Sequence, residues 1–87
     1  MATITFGPLT FENVPVSSRD GEDGAVVVHT RVPVTPGSQV ASAILAQVST
    51  VAELYIDDGE RETLMDDVTM TAAAWSGPGH LTLEWTI

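Results

Sequence analysis

Two groups of carboxylates are the residues in this chain most able to do chemistry. Asp20, Glu22 and Asp23 lie in DGEDG, and Asp57, Asp58, Glu60, Glu62, Asp66 and Asp67 lie in DDGERETLMDD. Paired carboxylates perform general acid/base work when one of them is desolvated and its proton affinity rises. These instead stand beside glycines in sequence that reads as exposed turns, so a solvated acidic surface is the simpler reading. Neither run has the D-x-[DN]-x-[DN]-G pattern and distant Glu of a calcium loop. His29 and His80 fall on the polar sides of strand patterns, and no short spacing joins them as zinc ligands. Ser17, Ser18 and Ser76 lack a G-x-S-x-G context. Gly77-Pro78-Gly79 precedes a strand instead of a helix, so it does not form a phosphate cradle. The expectation is a protein that is not an enzyme, with no catalytic residue, metal or cofactor.

These residues belong to an 87-residue chain of formal net charge -9, with twelve acidic residues set against Arg19, Arg31 and Arg61. That length supports one domain, residues 1-87, with a single modest core. The absence of cysteine excludes a disulfide framework and thiolate metal sites. Direct binding to nucleic acid needs clustered Lys and Arg for the phosphates, and the chain has no lysine. A basic protein surface is the partner such a charge suits. The longest uncharged run, Val32 to Ala52, contains two prolines and many polar residues, so it reads as neither a membrane span nor a signal-peptide core. MATITFGPLTF has no basic residue and reads as a first strand.

The elements that position these residues are mostly strands. Thr3 to Phe6 and Leu9 to Val16 form two extended segments broken at Gly7-Pro8, with Phe6, Leu9, Phe11, Val14 and Val16 facing a core. Ser17 to Gly24 has no apolar residue and reads as a loop. Val26, Val28, Thr30, Val32 and Val34 alternate with Val27, His29, Arg31 and Pro33, one face core and the other largely polar. Leu54 and Ile56 mark another strand, Asp58-Gly59 a two-residue hairpin turn, and Asp66-Asp67 a bend or bulge. Val68, Met70, Ala72 and Ala74 face one way and Trp75 the other. Leu81, Leu83, Trp85 and Ile87 complete a last hairpin, with Trp85 in the core and Trp75 at a sheet edge or in an interface.

One stretch breaks the alternation. At about 100° per residue, Val40, Ala41, Ile44, Leu45, Val48, Val51 and Ala52 share an arc of roughly 140°, the buried face of a helix over residues 38-51. Its cap is either Thr35, with Pro36 at the first helical position, or Ser38. The opposite arc, with Ser42, Ala46 and Ser49, carries no charge and suits close approach by a second surface. The expected fold is α+β: an antiparallel sheet, or a small partly closed barrel or sandwich, of about five to seven strands covered by that helix.

With its neutral helix face, threonine-rich strands and Trp75, the chain resembles in general character the small accessory virion proteins of tailed phages, the compact β-rich subunits of capsid decoration, tail or head-to-tail junction. The resemblance implies a structural subunit in the virion, a homo-oligomer or part of a larger symmetric assembly, reaching its neighbours through edge strands or termini. Interaction residues are then expected at Trp75, Ser42, Ala46 and Ser49 and in the acidic set Asp57, Asp58, Glu60, Glu62, Asp66 and Asp67. A second expectation is an acidic inhibitor, in the cytoplasm, that imitates the charge of nucleic acid and binds a basic protein surface. A third, a small enzyme or metal-binding domain, would require a pocket gathering His29, His80 and carboxylates.

Overall fold

Alternation is converted directly into burial along the strand Val26–Pro33, where Val28, Thr30 and Val32 are buried between partly or fully exposed neighbours. In the computed structural model, which describes residues 1-87, the same logic builds seven strands. They are β1 (Ala2–Phe6), β2 (Leu9–Val14), β3 (Val16–Asp20), β4 (Val26–Pro33), β5 (Val51–Asp57), β6 (Glu62–Trp75) and β7 (His80–Thr86), with a helix α1 (Gln39–Leu45) between β4 and β5. All seven belong to one antiparallel sheet in the order β2-β1-β5-β6-β7-β4-β3. An α+β antiparallel sheet with one helix is therefore the architecture, as expected. The ladder does not close into a barrel, because no strand pairing joins β2 to β3 or β4.

The two edge strands are nonetheless consecutive in the chain, joined only by Pro15. A sheet whose first and last strands are one residue apart in sequence has to curl until its edges approach. Thr30, the single buried polar residue, holds that junction: its hydroxyl donates to the Pro15 carbonyl at 2.6 Å. Three bulges supply curvature. Glu12-Asn13 faces Thr3, Asp66-Asp67 faces Glu53, and Thr71 is the extra residue opposite the Glu84-Trp85 step. Asn13 and Asp67 have φ of 57°, the left-handed region that Asn and Asp enter more readily than most residues. The bulge expected at Asp66-Asp67 is thus present.

The concave face holds the core: Ile4, Phe6, Val14, Val28, Val32, Leu54, Val68, Met70, Leu81, Leu83 and Trp85, with Ala41 and Ile44 from the helix. Phe6 is its centre, stacked on Phe11 at 5.9 Å and edge-on to Trp85 at 5.1 Å between ring centroids.

Four expectations are corrected. The helix spans Gln39–Leu45 and not residues 38-51. Ser38 caps it, its hydroxyl accepting from the Ala41 N–H at 3.2 Å. It stops because the β-branched stretch beyond it is taken into the sheet. Ser49 N–H donates to Met70 O at 2.7 Å, Met70 N–H to Thr50 O at 3.3 Å, and Val51 starts β5. Of the expected buried stripe only Ala41 and Ile44 are buried, while Val40, Leu45 and Val51 are exposed.

Ser17 to Asp20 is strand and not loop, paired along β4. As an edge strand exposed on both faces after Val16, it needs no apolar pattern. The turn after β5 has four residues, Asp58 to Arg61, because Asp57 pairs with Glu62. Finally, the Thr71 bulge reverses the phase of β6. Ala73, not Ala72 or Ala74, packs on the core, and Trp75 pairs with Leu81 on the same face as Trp85.

Candidate interaction surfaces

The helix lies across one mouth of the curled sheet. The chain enters α1 beside Gly79, whose carbonyl accepts from Val34 N–H at 2.9 Å, and leaves it with Gln47 against Gly7. Gly7 has φ of 57°, and a Cβ there would stand 2.9 Å from the Gln47 amide nitrogen. Around this helix-covered end, Trp75 (42% exposed), Leu45 and Val40 present apolar surface to solvent. Trp75 faces the concave side in register with the fully buried Leu81, yet stays exposed itself. Ser42 is exposed on the helix and Ala46 at its C-cap, and Ser49 is exposed in the turn that follows, outside the helix.

The other mouth has no such cover. Here the β3-β4 and β5-β6 hairpins turn, and between them runs a groove of about 260 Å³ lined by Val16, Val26, Val28, Ile56, Met65 and Ile87 together with Ser17, Ser18 and Thr63. Val26 pairs with Ile87 through N–H···O bonds in both directions, which carries the concave face of β4 to its end. Yet Val26 and Ile87 remain 37% and 47% exposed, and Thr63, which pairs with the concave-facing Ile56, is exposed too.

The groove has a free backbone edge. β6 is fourteen residues long, pairing with β5 from Glu62 to Thr69 but with β7 only from Thr69 to Trp75. From Glu62 to Val68 its second side bears no ladder. Asp58 N–H donates to Arg61 O at 3.2 Å. Counting antiparallel pairs from that bond turns the backbone N–H and C=O of Glu62 and Leu64 toward the unpaired side.

The acidic residues gather at this same end. Seven of the twelve lie on the two hairpins, and Glu12 shares a shallow depression with Asp57 and Asp58, while Asp66 and Asp67 lie further along β6 at the bulge opposite Glu53. Arg19 and Arg61 are the cations nearby, and Arg19 is paired at 3.4 Å with Glu84, both partly exposed. Two of the carboxylates organise the β5-β6 turn. Asp57 Oδ1 accepts from Gly59 N–H at 2.9 Å, and Asp58 Oδ1 accepts from Arg61 N–H at 2.8 Å and Glu60 N–H at 2.9 Å. The Arg61 N–H first, then that of Glu60, holds the Asp58 carboxyl below the usual carboxylate range. Glu62 Oε1 accepts from the Tyr55 hydroxyl at 2.6 Å, and chiefly that bond pushes the phenol up to about 12.

His29 and His80 lie on the convex face of adjacent strands, opposite Glu84 and Pro33 respectively, four residues apart along β4. That separation is about 13 Å, too far for one ion. His29 Nε2 instead lies 2.7 Å from the Ser17 hydroxyl. Sequence reasoning placed the acidic residues but missed the groove beside them. Its lining comes from β3, β4, β5, β6 and Ile87, five segments with no shared motif, and the free edge appears only once the β6-β7 stagger is known.

No helix is long and apolar enough to cross a membrane. No protein-family model matches the chain, and neither the curated proteins nor the solved structures contain a match to it.

Proposed function

We propose that this protein is a non-enzymatic structural subunit that acts through protein contacts in a symmetric assembly, of the kind built by tailed-phage virions. The observation that carries the reading is apolar surface left exposed at both ends of the sheet. Trp75 and Leu45 stand at the helix-covered end, and Val26 and Ile87 at the open end. Leu81, paired with Trp75, and Ile87 are six residues apart on one strand, so the two surfaces are separated by about 20 Å. Two different sticky ends on one subunit suit head-to-tail contacts, which close into rings or continue as stacks. Exposed Ser42 and Ala46 leave the helix side free of charge for such a neighbour. Native mass spectrometry across a concentration series tests this: a discrete oligomer is expected, shifted toward monomer by Trp75→Ser. A strict monomer at all concentrations would overturn the assembly reading.

The gathering of carboxylates at one end favours a second reading, an inhibitor imitating nucleic-acid charge on a basic protein surface. Its affinity would fall steeply with salt, and duplex DNA would compete for the same partner.

A further inference from the structure

We infer that the unpaired edge of β6, Glu62 to Asp66, is a docking slot for an extended basic segment of a partner protein, which adds there as a further strand. The inference rests on the protein-contact part of the function proposed above and deepens it by naming the partner's chemistry.

Three observations converge on one place. The backbone groups of Glu62 and Leu64 point away from β5 with no ladder to meet them, and a strand laid alongside would satisfy them. The groove beside this edge is apolar, with Val26, Ile56, Met65 and Ile87 on its walls, so an incoming strand can bury every second side chain in it. The alternate side chains of that strand would face outward beside Glu62, the exposed Leu64 and Asp66, with Asp67 next to them in the bulge.

Charge decides the occupant. An acidic strand, the β6 edge of a second copy included, would set like charges against these carboxylates, the device by which exposed edges avoid indiscriminate pairing, whereas the neutral helix-covered end of a neighbouring copy carries no such charge. A strand alternating Lys or Arg with Val or Ile meets both walls of the slot. Its length follows from the free edge, about five residues or 17 Å. A folded basic surface would use the carboxylates and leave the groove and backbone edge unused.

The probe is a synthetic heptapeptide, acetyl-Lys-Val-Lys-Val-Lys-Val-Lys-amide, titrated into the intact protein and followed by amide NMR shifts and hydrogen exchange. Saturable binding is expected, with the largest shifts at Glu62, Leu64, Met65 and Ile87 and slowed exchange at the Glu62 and Leu64 amides. N-methylation of alternate peptide nitrogens, which removes ladder donors without changing charge, is expected to weaken binding about tenfold or more. Replacing Val by Ser is expected to do the same. Glu62→Gln combined with Asp66→Asn is expected to weaken it several-fold and flatten its salt dependence. No saturable binding, equal binding of the N-methylated or Ser peptide, or shifts centred on the helix-covered end would each overturn the slot. Protection of the Glu62 and Leu64 amides in the free protein at dimer-forming concentration would overturn it in favour of a second copy. Self-association by mass spectrometry is read separately, so a monomer that binds the peptide sinks the assembly reading and leaves the slot standing.

Discussion

The two mouths of the curled sheet solve the same problem differently. At one, α1 spends only seven residues on the opening, yet Ala41 and Ile44 are sealed beneath it and the layer around Phe6 and Leu81 is fully buried. At the other, the hairpins turn with no element laid across them, and Val26, Thr63 and Ile87 stay in contact with solvent although they belong to the concave face. Stability is therefore concentrated toward the helix and the middle of the sheet. The open end keeps apolar surface, a free backbone edge and most of the charge, features associated with binding more than with cohesion.

The sharpest test of that contrast is paired truncation. Ile44→Ala is expected to cost about 2 to 5 kcal/mol, since the side chain is completely buried and its cavity cannot fill with water. Ile87→Ala, same chemistry on a half-exposed side chain, is expected to cost less than about 1 kcal/mol. Urea denaturation measures both, and equal losses would remove the distinction between the ends.

A smaller effect probes how the open end is bent. Asp67→Ala is expected to destabilise by about 1 kcal/mol, because a Cβ-bearing residue without a short polar side chain is strained at φ of 57°. Asp67→Gly, freed of that strain, is expected to be neutral or stabilising. Matching losses from both would mean that the carboxylate, and not the bulge geometry, matters there. At the helix end, Ser38→Ala removes the cap that holds Ala41 N–H and is expected to cost about 1 kcal/mol. A negligible change would show that α1 is held by burial of Ala41 and Ile44 alone.

The smallest effects are protonic and belong to the open end. The Asp58 carboxyl titrates lower folded than unfolded, so its contribution is present above about pH 4 and is lost as pH falls through the folded value. The observable is the difference in stability between wild type and Asp58→Asn. That difference is expected to shrink below about pH 4. Tyr55 shifts oppositely: with its phenol raised to about 12, its contribution is complete below the unfolded value near 10 and is lost as pH rises through the folded one. It is the sole tyrosine, so tyrosinate absorbance reads it directly, and Glu62→Gln is expected to return the midpoint toward 10.

Where side chains alternate against a single buried face, the fold was legible. Val28 to Val34 and Leu81 to Trp85 were assigned to the core from spacing alone because the pleat turns period two into burial. The face of Trp75 is illegible for the same reason in reverse. One extra residue at Thr71 flips every later side chain of β6, and no residue type there announces it. Helical periodicity extends the helix too far because it sets Val48, Val51 and Ala52 on one arc with Ile44, whereas Met70 offers their segment sheet hydrogen bonds instead. Of the interaction residues, the acidic ones were found by type, and their concentration at one mouth depends on strand order.

Composition and local pattern by themselves determined that this is an acidic, cysteine-free, β-rich chain with one helix, because charge count and side-chain period are local properties. Which strands neighbour one another, where their ends stagger, and hence that one mouth is covered while the other holds a groove beside an unpaired edge, was decided only in three dimensions. Strand pairing joins residues as distant as Arg19 and Glu84 through a shared face, and no spacing along the chain encodes that proximity.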